Sequence, residues 1–281
     1  MPQIDFHLQL NHNDNWSMSR LHFHDYCEFL LPLTSPGNIF VNDQVYPLRR
    51  GTLYLIGENT LHRTIATGFH ARYVLHISRK ALSALSTPQT DFSRMAQSAF
   101  LRADMTNDQM ISLIERFQAL ERNKNDGAFG SDVHQAIALL DLLLQVAPIL
   151  DAASAGDAVR SKDFLRVAPI LDYIRDHLSE PLTLDLIAGQ FYLSKHYLCR
   201  IFKSATGFSV MEYIIYSRVL KARQLLKEGV SVQQAGELSG FSDNSHFIRT
   251  FGHLTGTSPG RYAREHQGSD AAPILGGSLK E

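Results

Sequence analysis

The spacing of apolar residues changes character twice along the chain. Between Leu21 and Ser78 the runs CEFLLPL, NIFVNDQVYPL, GTLYLI and ARYVLHIS are short and are divided by turn formers at Ser35-Pro36-Gly37, Asn42-Asp43 and Gly51. Runs of that length read as β-strands, and several in succession predict a small barrel or sandwich. Ahead of them, Met1–Ser19 is polar and without a period, which suits either a first strand or a loose arm. From Ala81 to Asp126 the texture turns helical, with Met110, Ile111, Ile114, Phe117 and Leu120 at helix spacing. Val133–Ala152, VHQAIALLDLLLQVAPILDA, is too apolar to face water, and Pro148 is expected to kink or end it. Its partner is either the strand domain or a second copy of the chain, with Leu139, Leu142, Leu143 and Leu144 as the candidate dimer face. Ala153–Asp163 is small and polar, hence a linker, and Gly268–Glu281 reads as a disordered tail.

Beyond the linker the helical period dominates. In Leu182–Phe202, Leu184, Ile187, Ala188 and Phe191 line one segment, Ser194 is the expected N-cap of the next, and Leu198, Ile201 and Phe202 resume the apolar face. That is the pattern of a helix-turn-helix. His196, Cys199, Arg200 and Lys203 recur at i, i+3, i+4 and i+7, forming a polar, partly basic stripe opposite the buried one. Such a stripe suits the major groove, where Arg binds guanine O6 and N7 and Lys reaches phosphates. A hairpin with a merely solvated face has the same pattern, so recurrence matters. Ser231–Phe251 repeats it, with Ser242 as the expected N-cap, Phe247 and Phe251 inward, and Asn244, Ser245, Ile248 and Arg249 outward. An exposed Ile248 is tolerable if it packs on a thymine methyl. Ser209–Glu228 between the repeats predicts one continuous helix closed by Gly229. A rigid helix fixes the separation of two reading heads, and one turn of B-DNA would place them about 34 Å apart.

Ile170–Arg264 resembles the DNA-binding domain of the AraC/XylS family of bacterial transcription regulators. The matching residues are LxxIAxxFxLSxxYLxRxFKxxTGxSxxxY at 184–213, RxxKARxLLKEGxSVxxxG at 218–236 and GFSDxSHFxRxFxxxTGxSPxxY at 240–262. Three positions depart from the family pattern. Ala235 and Gly236 stand where an aliphatic residue and Ala are usual, an exchange expected to loosen the second motif by about 1 kcal/mol. Tyr192 occupies a turn position where a small or polar residue is commoner. On that basis the second head is expected to be held less firmly, and Arg200→Ala to harm binding more than Arg249→Ala.

The remaining chemistry lies in the strand region. His22, His24 and Glu28 share one strand face by parity, and His62 can arrive from a neighbour. Together with Gly51 and Gly57 they resemble the cupin barrel, the effector domain of the arabinose-type branch of the family. Three nitrogens and a carboxylate could hold a divalent transition metal, or hydrogen-bond one another, or bind a polar ligand. Regulators with this resemblance commonly keep such residues without metal catalysis. His22, His24, Glu28 and His62 are therefore assigned to effector binding, with no catalytic residue, metal or cofactor assigned.

Composition adds limits. The 281 residues suit two domains, with 44% hydrophobic and 20% charged residues as in ordinary globular chains. Net charge is −1 overall, but 164–264 carries 12 basic against 8 acidic residues, as phosphate contact requires. Cys27 and Cys199 fall in different predicted domains, so a disulfide is not expected; Cys27 reads as core and Cys199 as a neutral filler. No membrane span or signal pattern is read, giving a cytoplasmic expectation.

The expected protein is α+β: a cupin-like β-barrel with following helices over 1–152, a linker over 153–163, an all-α domain over 164–266 and a tail from 267. The two helix-turn-helix motifs fall near 184–204 and 231–254. Expected partners are double-stranded DNA, a small effector of carbohydrate type, a second copy of the chain and, by resemblance, RNA polymerase. A metal-dependent cupin enzyme fused to a DNA-binding domain, or a barrel that only dimerises, are the competing readings.

Overall fold

The computed structural model describes residues 4–13, 21–35, 37–65, 68–123, 127–153 and 162–266. The predicted arm beyond residue 13, most of the linker and the tail lie outside them. The chain divides into two compact units, Met1–Pro169 with Cys199–Phe208, and Ile170–Leu198 with Ser209–Glu281.

The first unit is built on two antiparallel sheets, in line with the predicted barrel or sandwich. Five strands, β1 (Phe6–Asn13), β2 (Cys27–Pro32), β5 (Thr52–Ile56), β7 (His70–Ile77) and β8 (Phe100–Asp104), run in the order β1-β7-β2-β5-β8. The other sheet is β4 (Gln44–Pro47), β3 (Asn38–Val41) and β6 (His62–Ile65), in that order. Asn42 and Asp43 turn β3 into β4 with φ of 38° and 68°, the left-handed pair that a two-residue hairpin needs. β1 answers the open reading of the N-terminal segment. β8 was not expected: it sits inside a stretch predicted helical, between α1 (Arg79–Leu85), a 3₁₀ turn at Phe92–Gln97 and α2 (Asn107–Arg122). At five residues it is too short to show a period, and pairing with β5 defines it.

β2, β5 and β7 are buried on both faces. Cys27, Phe29, Leu31, Leu53, Leu55, Tyr73 and Leu75 point to one side, where they meet Leu113 and Phe117 of α2 and Leu139, Leu142, Leu143 and Val146 of α3 (Ser131–Asp151). Each such side chain contributes about 1.5–3 kcal/mol on burial. Tyr73 stacks on Phe117 at 4.9 Å. The opposite set, Leu30, Tyr54, Ile56 and Val74, packs on Ile39 and Val41 between the sheets. Cys27 is core as expected, and burial pushes its thiol up to about 12.

α3 corrects two expectations. Pro148 lies inside the helix without ending it, because it falls in the last turn and forfeits a single backbone hydrogen bond. Uninterrupted, α3 is long and apolar enough to cross a membrane by length and composition. It instead sends Leu139, Leu142 and Leu143 into the core at 0% exposure, so three of the four proposed dimer residues are internal. Val133, Ile137 and Leu144 are the ones exposed. On α2 the buried stripe is Met110, Leu113, Phe117 and Leu120, with Ile111 turned outward.

In the second unit α7 (Val210–Lys227) is the central helix, started by a Ser209–Glu212 capping box and followed by Gly229 at φ 88°. Its Arg218 donates to the carbonyls of Leu178 at 3.1 Å and Glu180 at 2.7 Å. Ser179 in the same segment donates to the Leu238 carbonyl, and Lys221 donates to Ser179. Gly240 completes this join. At φ 98° it holds a conformation that side chains disfavour, and a Cβ there would lie 2.3 Å from the Leu178 oxygen.

Gly236 also proves to be a packing residue. A Cβ on it would stand 2.8 Å from the Phe247 ring, so the missing methyl lets α8 (Val232–Leu238) approach α9 (Asn244–Thr255). The expected loosening of the second motif is thereby offset. Gly236→Ala should gain roughly 1 kcal/mol of helix propensity and lose about 1–3 kcal/mol to overpacking. A fall in melting temperature is expected by calorimetry; a rise would mean that the Phe247 ring yields freely.

Candidate nucleic-acid interface and candidate effector site

Each helix of the two motifs is started by a side-chain cap. Thr183 accepts from Leu186 N at the head of α5 (Leu184–Gln190), and Ser194 accepts from Tyr197 N at the head of α6 (Lys195–Thr206), as predicted. In the second motif Ser231 caps α8, while α9 is capped by Asp243 rather than Ser242. The reason is register: Phe247 N closes the first helical bond on the Asp243 carbonyl, so the cap is one residue later. Tyr192, at φ 54° and 97% exposed, takes the left-handed turn position between α5 and α6.

α6 separates its faces as the spacing requires. Leu198, Ile201 and Phe202 are buried, His196, Arg200 and Lys203 are exposed, and Cys199 is half-buried. α9 does the same, with Phe247 and Phe251 at 0% exposure and Asn244, Ser245, Ile248 and Arg249 outward. Ile248 is 40% exposed, an apolar group in the middle of a polar stripe. All eight sequence-predicted residues therefore lie on outer faces, Cys199 at the margin.

The four predicted effector residues come together between the sheets. His22 and His62 exchange backbone hydrogen bonds of 3.1 and 2.9 Å, and their rings lie 4.1 Å apart. Ligand atoms of His22, His24, Glu28 and His62 all lie within 4.8 Å of one another. His24 Nδ1 stands 2.8 Å from the Tyr26 carbonyl and His62 Nδ1 2.9 Å from the Thr60 carbonyl. A carbonyl only accepts, so both Nδ1 atoms carry the proton and both neutral rings aim an Nε2 lone pair inward. Those Nε2 atoms lie 3.2 and 3.6 Å from Glu28 Oε2. Burial pulls the His24 imidazolium down and His22 to about 3, while the histidine surroundings of Glu28, with His76 Nε2 able to donate at 3.0 Å, outweigh its desolvation and hold it well below the usual carboxylate range. The result is a buried negative charge faced by lone pairs, an arrangement completed by a proton or a cation.

Two members were missed. His76 on β7 places Nε2 3.0 Å from the same Glu28 oxygen, and Tyr26 stacks on His24 at 4.0 Å. Strand parity could have found His76, which alternates with Val74 and pairs with Glu28 across β2. Tyr26 lies just before β2 and left no such signal. Both line a cleft of about 440 Å³ with Asp5, Phe6, His7 and Asp25, which brings solvent to the edge of the cage.

Comparison with known proteins agrees with the C-terminal geometry. Residues 187–265 match a family described as a helix-turn-helix domain. The HTH-type transcriptional regulator YfiF of Bacillus subtilis is 27% identical over 247 residues, covering 86% of this chain and 78% of its own. The transcriptional activator RhaS of Salmonella arizonae is 26% identical, covering 90% of this chain and 89% of its own. Among solved structures, the C-terminal domain of AraT from Geobacillus stearothermophilus is 27% identical over 41% of this chain and 98% of that one, with a TM-score of 0.38. With two capped helix-turn-helix motifs, a matching helix-turn-helix domain and relatives named as transcription regulators along most of its length, the chain is a DNA-binding transcription regulator, similar to those of the AraC type.

Proposed function

We propose that α6 and α9 are the reading helices, and that the chain acts in the cytoplasm as an effector-controlled activator of transcription. The observation that carries this is the pair of outward polar stripes, each backed by a buried apolar one. Activation rather than repression is supported by relatives such as RhaS, which are named activators. Arg200 and Arg249 read base edges and Lys203 binds phosphate. Because Gly236 packs on Phe247, both heads are held, and the two arginines carry comparable weight. Arg200→Ala and Arg249→Ala should each cost about 1–3 kcal/mol on the specific site and relax base preference locally. Lys203→Ala should weaken binding to all sequences and shallow the salt dependence by about one unit. Electrophoretic titration over a salt series reads all three; an unchanged affinity and preference for Arg200→Ala would remove α6 from the groove.

The His22, His24, Glu28, His62 cage, with His76, is the effector site of this reading, and the Tyr26–His76 cleft is its way in. A polar effector of carbohydrate type fits the aromatic wall and the ring of hydrogen-bonding groups there. One observation favours a second reading, in which the cage holds a divalent transition metal: two Nε2 lone pairs stand 3.2 and 3.6 Å from the same Glu28 oxygen. A tetrahedral ion with bonds of about 2.1 Å spaces its ligand atoms by roughly 3.4 Å, so the donors fit. Bound there, the ion would be a Lewis acid held by His24, His62 and Glu28, their backbone hydrogen bonds fixing the rings. Full-length His62→Ala should bind DNA normally but lose the effector response. Calorimetric titration of chelator-treated protein with Zn²⁺ or Ni²⁺ separates the readings, since wild type should bind and His62→Ala should not if the cage is a metal centre.

Dimerisation through the exposed stripe of α3 is the third part of the proposal. Val133, Ile137 and Leu144 recur at i, i+4 and i+11 on one face of that helix. Ile137→Glu should leave the fold intact, give monomers by light scattering, and weaken binding to a paired site far more than to a half-site. Leu143→Glu should instead unfold the unit, because it places a charge in the core at a cost of several kcal/mol. A folded, dimeric Ile137→Glu variant would return this face to solvent.

A further inference from the structure

The turn between the two helices is built alike in both motifs. In the first, Phe191 N donates to the Ile187 carbonyl, Tyr192 N to Gly189 and Leu193 N to Ala188. In the second, Ser239 N donates to Ala235, Gly240 N to Glu237 and Phe241 N to Gly236. Tyr192 and Gly240 therefore hold the same position, and both have positive φ, 54° and 98°. Glycine takes that conformation without cost, whereas the Cβ of a tyrosine crowds the following carbonyl, so Tyr192 holds the backbone under strain. Packing does not offset the strain, because Tyr192 is 97% exposed. We propose that Tyr192 is a DNA-contacting residue, its phenol hydroxyl donating to a backbone phosphate at the rim of the groove that α6 enters.

Position supplies the partner. Tyr192 lies two residues ahead of Ser194, the cap of α6, and the first turn that follows is exposed at Lys195 and His196. A recognition helix brings its N-terminal residues to the base edges, so the turn leading into it passes the sugar–phosphate wall of the groove. Phosphate oxygens only accept hydrogen bonds, and a phenol has one to donate. The side chain is long and turns about two bonds only, so it reaches the wall and loses little freedom on binding. Being uncharged, the phenol adds affinity without releasing a counterion, and a phosphate contact carries no base preference. The second motif has no counterpart, since a Cβ at Gly240 would lie 2.3 Å from the Leu178 oxygen. Strain at Tyr192 is thus retained for a contact made only when DNA arrives.

This contact rests on reading α6 as a recognition helix, so Arg200→Ala is measured beside it. The probes are a duplex that the wild-type chain selects from a randomised library and an unrelated duplex of the same length, each titrated with full-length protein over a salt series. Tyr192→Gly should raise the melting temperature by calorimetry, because relief of the strained conformation outweighs the extra freedom of glycine in the unfolded chain. It should also weaken binding to both duplexes by about three- to tenfold, with base preference and salt slope as in wild type. Tyr192→Phe should melt as wild type does and bind as weakly as Tyr192→Gly. A residue that serves the fold would lose stability and affinity together, so opposite signs for the two are the signature of the contact. A lower melting temperature for Tyr192→Gly, or wild-type binding by Tyr192→Phe, would overturn the proposal. Relaxed base preference in Arg200→Ala beside wild-type binding by Tyr192→Gly would remove the contact and keep α6 in the groove. Wild-type binding by both variants would remove α6 from the groove and the contact with it.

Discussion

Burial of β2, β5 and β7 on both faces is the constraint from which the N-terminal unit follows. A slip of one residue in any of these strands would exchange Phe29, Leu31 and Leu75 with Glu28, Leu30 and His76. The helix-side core would then receive a carboxylate and an imidazole, and the inter-sheet space would receive aromatic bulk. Neither can be accommodated at native packing density, so the register is fixed and the cage geometry with it. The same alternation places Arg72 and His70 at one end of the inner space and Glu28 with His76 at the other.

The second unit is organised by a different device, a buried helix that ties segments distant in sequence. Arg218 on α7 clamps the turn at Leu178–Glu180, and Ser179 passes the connection to Leu238 at the end of α8. Bonds from a guanidinium to carbonyls are charge-assisted and stronger than neutral ones. The glycines at 236 and 240 are the spatial counterpart, removing side-chain volume where α8, α9 and the Leu178 turn converge.

A buried ion such as Glu28 is expensive, and its retention among histidines connects stability to ligand chemistry. Its oxygens lie beside two imidazoles that donate to backbone carbonyls and therefore offer lone pairs. Whatever supplies positive charge between them binds the folded unit and not the unfolded chain, and so stabilises it by mass action.

The sequence by itself determined the elements with a strong period: the strands of the N-terminal unit, α7, both motifs, and the eight outward positions on α6 and α9. It also put His22, His24, Glu28 and His62 forward as one group, although strand parity is not what joins them: His22 sits in an isolated bridge to His62 and His24 in the irregular segment ahead of β2. Tertiary structure decided what no local rule contains. β8 exists only through its partner β5, too short to announce itself. Leu139, Leu142 and Leu143 became core rather than interface because α3 lies on the sheet's helix side, a fact its uniformly apolar sequence cannot encode. Gly236 reads as a weakness in a lone helix and is a fit in the packed one, since helix propensity is a property of the chain while the Phe247 ring it faces comes from the fold.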